Sequence, residues 1–459
     1  MQNYSVLKYK DQLPGQQTRL AVSNFISSGE KIHPEMLKNY LLQKEASLRV
    51  NHRLGYLTDQ GNNAITLALK ELLYLFKSPD EHYRQLIYEI FPVDPLQGGA
   101  GTSLNQNMNE VIANLANFII FESTETLGHI HPLDHVNMHQ STNDTFPSVF
   151  RASALVLFRR MQESFAGLQK SLQAKEAEFA NVRKPGRTQL QDAAPVTLGM
   201  EFGAYAQAIG RDRWRFYNAE ERLKSINLGG TMVGTGAGAP LKYRQLICIE
   251  FAAVTGLPLA KAEDTFEATQ NLDGIIEAHG IIKTAACNLK KIANDLRLLS
   301  SGPEGGLAEI HLPERQAGST IMPGKVNPVI PEHVIQIAEC IKAHDLMISN
   351  LASEGNLELN QYYPAIAHYF LKSQEWLARA ADLFAINCIN EISADAEQCR
   401  DMLDRTCAEA VCFIREFGYD RVSIIVKKSR ISGKSFKEIF LKETGISEAE
   451  YDKYISARG

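Results

Sequence analysis

The side chains best suited to chemistry in this chain sit in short stretches rich in hydroxyls and amides. QSTND at 140–144 sets Ser141, Thr142 and Asn143 in a row, ahead of a helix expected to begin near Phe146. Such a row can cap a helix. It can equally seat a carboxylate, because the free backbone N–H groups and the macrodipole favour an anion there; the stretch by itself fits both. GAGTSLN at 99–105 repeats the chemistry at Thr102, behind glycines that let backbone approach a ligand closely. Its spacing matches neither the dinucleotide nor the phosphate-loop glycine pattern, which argues against a nucleotide. GRTQLQD at 186–192 adds Thr188 and Gln189. Plain helix capping is the competing account of all three.

GSTIMPGKVNP at 318–328 cannot be a helix and makes a poor strand. Ser319 and Thr320 follow a glycine, Pro323-Gly324 breaks the chain, and Lys325 stands two residues before Asn327. An ordinary surface turn would explain the Pro-Gly pair. The whole run from Ser301 to Pro328 is about 28 residues, however, and structureless loops of that length are usually functional. A lid fits its contents. Lys325 is the sole lysine or arginine between Arg315 and Lys342. One cation among hydroxyls and amides suits a small dicarboxylate; a solvated loop lysine is the competing account.

HIHPLDHVNMH gathers His129, His131, Asp134, His135 and His139, a set that a borderline metal favours. Leu133 interrupts the spacing of a binuclear hydrolase, and such sites need strand ends that this chain lacks. Structural histidines are the expected outcome. No metal or cofactor is expected; activation by a divalent cation stays open.

The elements that must hold these stretches are helices. Apolar residues recur at three and four in EVIANLANFIIFESTETL, from Arg151 to Val182, and in HVIQIAECIKAHDLMISNLA, while strand-like alternation is scarce. An all-α architecture of long helices follows. The 459 residues carry a formal charge of −5, which leaves no basic footprint for nucleic acid. No window approaches the roughly 18 apolar residues of a membrane span, and the N-terminus does not resemble a secretion signal. The seven cysteines read as reduced core residues, so a cytoplasmic protein is expected. Composition changes near Ile392, which predicts a small helical domain at 392–459; the chain before it is expected to divide into a mostly helical domain at 1–140 and a long-helix bundle carrying the lid at 141–391.

Taken together, FPVDPLQGGAGTSLNQNMNEVIAN, HVNMHQSTNDTFP, GRTQLQDAAPVTLG, NDLRLLSSGPEGG and LPERQAGSTIMPGKVNPVIPE resemble the signature blocks of the aspartase/fumarase superfamily, in family order. Its members eliminate a group from a substituted succinate to give fumarate. The resemblance implies a three-domain subunit whose central helices join those of three partners in a homotetramer, with active sites assembled from three subunits. It implies Ser319 as general base on the lid and Thr102, Ser141, Thr142 and Thr320 as donors to the carboxyl group that becomes an enediolate. Thr188, Lys325 and Asn327 would hold the other carboxylate, Asn143 and Gln189 would lie near the leaving group, and Glu332 would support the site. Fumarases typically carry histidine where this chain has Gln189. Glutamine cannot protonate a departing hydroxide, whereas ammonium leaves already protonated, so ammonia elimination from aspartate is the first expectation. Fumarate hydration, a lyase for an N-substituted aspartate, and a silent structural relative are the alternatives. Thr320, Gln106, His139 and QYYP at 361–364 depart from the family pattern.

Overall fold

The computed structural model describes residues 5–77, 80–122 and 129–456. Long helices dominate it, and the strands are few and paired only two by two. The helices that matter for the site are α1 (Pro34–Arg53), α2 (Thr102–Glu122), α3 (Thr142–Glu178), α4 (Leu198–Ala219), α5 (Leu241–Thr255), α6 (Asp273–Leu299), α7 (Val329–Ser353) and α8 (Tyr363–Asn387). The chain divides into two compact units. One comprises Met1–Gln162, Trp214–Thr284 and Glu339–Leu377; the other comprises Glu163–Arg213, Ala285–Ala338 and Ala378–Gly459.

In the first unit, α3 buries Phe150, Ala154, Phe158 and Met161 completely. Val149, Ala152, Ser153, Leu155 and Leu157 between and beside them are buried too, so this part of the helix is enclosed on nearly every side. Phe370 of α8 meets the rings of Phe150 and Phe158 edge to face, with centroids 5.3 and 6.2 Å away. Each such ring is worth about 1.5–3 kcal/mol of burial. Helix α1 packs against α5, and Asp59–Leu75 packs against α2. In the second unit, Phe413 centres an apolar cluster with Phe436, Phe440 and Tyr451.

Several boundaries differ from the sequence reading. Helix α3 starts at Thr142, ahead of both Phe146 and Arg151, and ends at Glu178, short of Val182. Its early start has a local cause: Ser141 Oγ accepts the Asn143 N–H at 3.2 Å, while Asp144 Oδ1 accepts the Ser141 N–H at 3.1 Å. This reciprocal cap satisfies donors that a helix start leaves free. Pro147 lies inside the helix and cannot donate to the Asn143 carbonyl. Asn227 Nδ2 supplies the missing bond at 3.0 Å. The end of the apolar run after α2, residues 123–128, lies outside the described residues, as do the last three residues of the tail at 457–459.

GRTQLQD caps no helix: it lies in an antiparallel hairpin, β1 (Arg183–Thr188) and β2 (Gln191–Thr197). The core-cysteine expectation also needs correction. Cys248, Cys388, Cys399 and Cys412 are buried, but Cys407 is only partly so and Cys287 and Cys340 are exposed, because they occupy outward faces of α6 and α7. Among the described residues no helix is long and apolar enough to cross a membrane.

Candidate active site

In the first unit the candidate side chains ride on the starts of α2 and α3. Thr102 opens α2, exposed, with its hydroxyl donating to the Gly99 carbonyl at 2.7 Å. The turn before it needs Gly101: φ is 96°, and a Cβ there would meet the Phe146 ring at 2.2 Å. Asn143 Nδ2 donates to the Met232 carbonyl at 2.8 Å. Asp144, 1% exposed, takes the N–H groups of Gly229 and Thr231 on Oδ2, both at 2.9 Å. The glycine-rich loop after Leu228 therefore buttresses the hydroxyl row. Burial pushes the Asp144 carboxyl up to about 6, although the three backbone donors and Lys44 oppose it.

Beneath the same row lies a residue that the sequence reading missed. Lys44 of α1 is 1% exposed, and its ammonium donates to Asn105 Oδ1, Asn137 Oδ1 and Gln140 Oε1 at 2.8, 3.0 and 3.0 Å. Asn105 Nδ2 in turn donates to Thr142 Oγ1 at 3.1 Å. A signal for it exists in the sequence: Lys44 falls four after Tyr40 and four before Leu48, on the buried face of its helix. Burial pushes its ammonium down to about 7, with Asp144 opposing.

The histidine cluster is taken up locally. His131 Nδ1 accepts the Asp134 N–H at 3.2 Å, His135 Nδ1 accepts the His131 N–H at 2.9 Å, and His139 Nδ1 pairs with Asn51 Oδ1 at 2.8 Å. No group of three or more His, Cys, Asp or Glu among the described residues is arranged to hold a metal ion.

In the second unit, Thr188 ends β1 and Gln189 occupies the two-residue turn. Gln189 and Leu190 have φ of 54° and 61°, the left-handed conformation that such hairpin turns require and that Asn or Gly normally supplies. Strain of this kind is kept where the surroundings over-determine it. The anchor is a buried ion-pair network. Lys184 Nζ lies 2.5 Å from Glu309 Oε2 and 2.8 Å from Glu201 Oε1, and Arg187 Nη1 lies 2.8 Å from Glu309 Oε1. Both cations approach Glu309 off the hydrogen-bond axis, so these are charge contacts more than hydrogen bonds. Burial raises the Glu201 carboxyl, with Lys184 opposing.

The lid folds on itself. Asn327 Nδ2 donates to the Gly318 carbonyl at 2.5 Å. Ser319 Oγ accepts the N–H groups of Ile321 and Met322 at 3.1 and 2.9 Å. Two backbone donors on one hydroxyl oxygen favour its ionised form. Thr320 and Lys325 are exposed. A cavity of about 480 Å³ is lined by Lys325, Asn327 and Glu332 together with Arg297 and His311; Ser319, Thr320, Thr188 and Gln189 do not line it. The candidates thus fall in two groups, Thr102 and Ser141–Asn143 in the first unit and the remainder in the second.

Gly318 has no room for a side chain: a Cβ would lie 1.6 Å from the Lys325 carbonyl oxygen. Gly318→Ala must open the lid and break its Asn327 bond. We expect about a 100-fold loss of kcat/KM with an unchanged circular dichroism spectrum, since a displacement near 1 Å can cost that much. A variant within threefold of the parent would show that the lid does not need this closure.

A profile described as lyase matches residues 6–342, and the chain belongs to that family. It is 37% identical to an aspartate ammonia-lyase from a Bacillus species, over 97% of this chain and 93% of that protein. It is 40% identical to the aspartate ammonia-lyase of Pseudomonas aeruginosa, over 95% and 90%. Among solved structures, a fumarate lyase:delta crystallin from Brucella melitensis bound to cobalt superposes with a TM-score of 0.90 at 36% identity, covering 97% of this chain and 95% of that one. A class II fumarase from Schistosoma mansoni superposes at 0.88 with 28% identity, over 97% and 94%.

Proposed function

We propose that this protein is a carbon–nitrogen lyase that eliminates ammonia from L-aspartate to give fumarate. The observation that carries the reading is Ser319 Oγ held by two backbone N–H groups on a lid that also bears Lys325 and Asn327. Ser319 as alkoxide takes a proton from the carbon beside one carboxylate. The electron pair moves into that carboxyl group, giving an enediolate with two negative charges, and Thr102, Ser141, Thr142 and Thr320 donate to it. Such donors act on charge that exists only along the reaction, so they lower the barrier. Thr188, Lys325 and Asn327 hold the second carboxylate. The enediolate collapses, the carbon–nitrogen bond breaks, and the amine departs near Asn143 and Gln189, with Glu332 supporting. Gln189 has no proton to give, which suits a group that leaves already protonated and disfavours dehydration of malate. The aspartate ammonia-lyase relatives support the same choice.

The reading includes a cytoplasmic homotetramer whose sites combine three subunits. Exposed apolar side chains on the long helices support it: Trp214 and Tyr217 on α4 and Leu346 on α7 are 68%, 63% and 64% exposed in the single chain. Side chains of that size exposed on regular helices mark a surface that another protein covers.

Two experiments test the proposal. Purified protein given L-aspartate should form fumarate, read by its ultraviolet absorbance, and L-malate should yield far less. Fumarate from malate but not from aspartate would replace ammonia elimination with hydration. For the assembly, inactive Ser319→Ala and Ser141→Ala chains are unfolded and refolded together. If lid and hydroxyl row come from different chains, random mixing restores about a quarter of the sites, because one site in four receives both intact parts. No recovery would place both parts on one chain.

A further inference from the structure

We propose that Lys44 is a positioning residue for dicarboxylate binding, turning the Asn105 amide onto Thr142 so that the Thr142 hydroxyl proton is left for the substrate. An ammonium has three donors and no acceptor. All three are used, on the side-chain oxygens of Asn105, Asn137 and Gln140. The atom of Asn105 facing Lys44 is therefore its oxygen, and the amide nitrogen must face the other way. It does, donating to Thr142 Oγ1 at 3.1 Å and Asn137 Oδ1 at 3.2 Å.

A hydroxyl that accepts from one side offers its own proton elsewhere. Thr142 Oγ1 has no acceptor among the described residues, and the side chain is 8% exposed at the start of α3. Without Lys44 the Asn105 amide could flip, present its oxygen to Thr142 and consume that proton. Lys44 itself touches no carboxylate among the described residues, so its charge is not neutralised in contact and reaches the hydroxyl row through one amide. A buried ammonium without a contacting counter-ion is costly; a structural role alone would be met by an apolar side chain at this face of α1. Burial of Lys44 and Asn105, at 1% and 3% exposure, keeps water from supplying either partner.

This inference rests on the reading above in one respect, that Thr142 meets a substrate carboxylate. The test uses full-length Lys44→Met and Asn105→Asp, with L-aspartate turnover and calorimetric binding of succinate as separate readouts. Asn105→Asp keeps the volume and an oxygen toward Lys44 but presents an acceptor to Thr142, which reverses the hydrogen bond. We expect KM for aspartate and Kd for succinate to rise about tenfold or more in both variants, as the loss of a charge-directed hydrogen bond implies, and kcat to fall as well, because Thr142 also donates to the enediolate. The Tm of Asn105→Asp should not fall. In a Thr142→Val background Asn105→Asp should add less than about twofold, since coupled residues fail to add.

Succinate binding within twofold of the parent in folded Asn105→Asp would overturn the inference. So would an equal loss in the Thr142→Val background. Should Lys44→Met fail to fold, Asn105→Asp decides alone. A parent protein that binds succinate but forms no fumarate from aspartate refutes the reaction and leaves the Lys44 test intact. A parent that binds no dicarboxylate overturns the inference outright.

Discussion

Ser319→Ala is expected to lower kcat for fumarate formation from aspartate by about a thousandfold, within the range that general-base catalysis contributes. Ser319 Oγ is the lid hydroxyl on which two of the lid's own N–H groups converge, those of Ile321 and Met322. Alanine leaves those two donors in place but gives them no oxygen. Since they belong to an exposed turn, water can replace the lost acceptor, and stability should change little. KM should also change little, because Lys325 and Asn327 still hold a carboxylate. The measurement is the initial rate of fumarate absorbance against aspartate concentration, with Tm as control. An enzyme retaining a tenth of its kcat would exclude Ser319 as the base and redirect attention to the rest of the lid.

Lys184→Met should have the largest effect on folding, lowering the unfolding free energy by about 3–5 kcal/mol, the usual outcome of breaking a buried ion pair from one side. Lys184 is 1% exposed and Glu309 is fully buried, so methionine leaves the Glu309 carboxylate with Arg187 alone and Glu201 with no cation in contact. A surface pair provides the contrast. Lys342 and Glu339 lie 3.1 Å apart on one face of α7 at 38% and 46% exposure. Lys342→Met should cost less than about 1 kcal/mol because water and salt already screen that pair. The comparison is made by urea unfolding of both variants against the parent. Equal midpoints for the two would mean that burial gives Lys184 no special weight. A second effect follows from position. Lys184 and Arg187 lie on β1, so loosening them frees the strand that ends at Thr188 and the strained turn at Gln189. KM for aspartate should rise in Lys184→Met even at temperatures where the variant stays folded.

What could be read from the residues alone was local or repetitive. Apolar recurrence at three and four is a property of each helix by itself, which is why α2, α3 and α7 are legible as helices before any packing is known. Loop chemistry is equally local. Gly318 through Asn327 carry a hydroxyl, a turn and a cation within ten residues, and their order alone suggests a lid over an anion. Boundaries are less legible, because α3 begins where Ser141 and Asp144 cap each other and where a distant Asn227 answers the carbonyl that Pro147 cannot serve.

Only the tertiary structure decided which charges sit beneath the site. Lys44 is separated from Asn105 by 61 residues and from Gln140 by 96, and Lys184 is remote in sequence from Glu309. Lys184 looks like an ordinary solvated lysine until the fold removes water from it, and Lys44 is marked only by its place on an apolar helix face. Chain periodicity records which side of a helix is apolar; it does not record which distant oxygen will replace water at a buried cation. That exchange depends on packing between elements far apart in the chain, and it sets the direction of the hydroxyl protons and the hold on the hairpin.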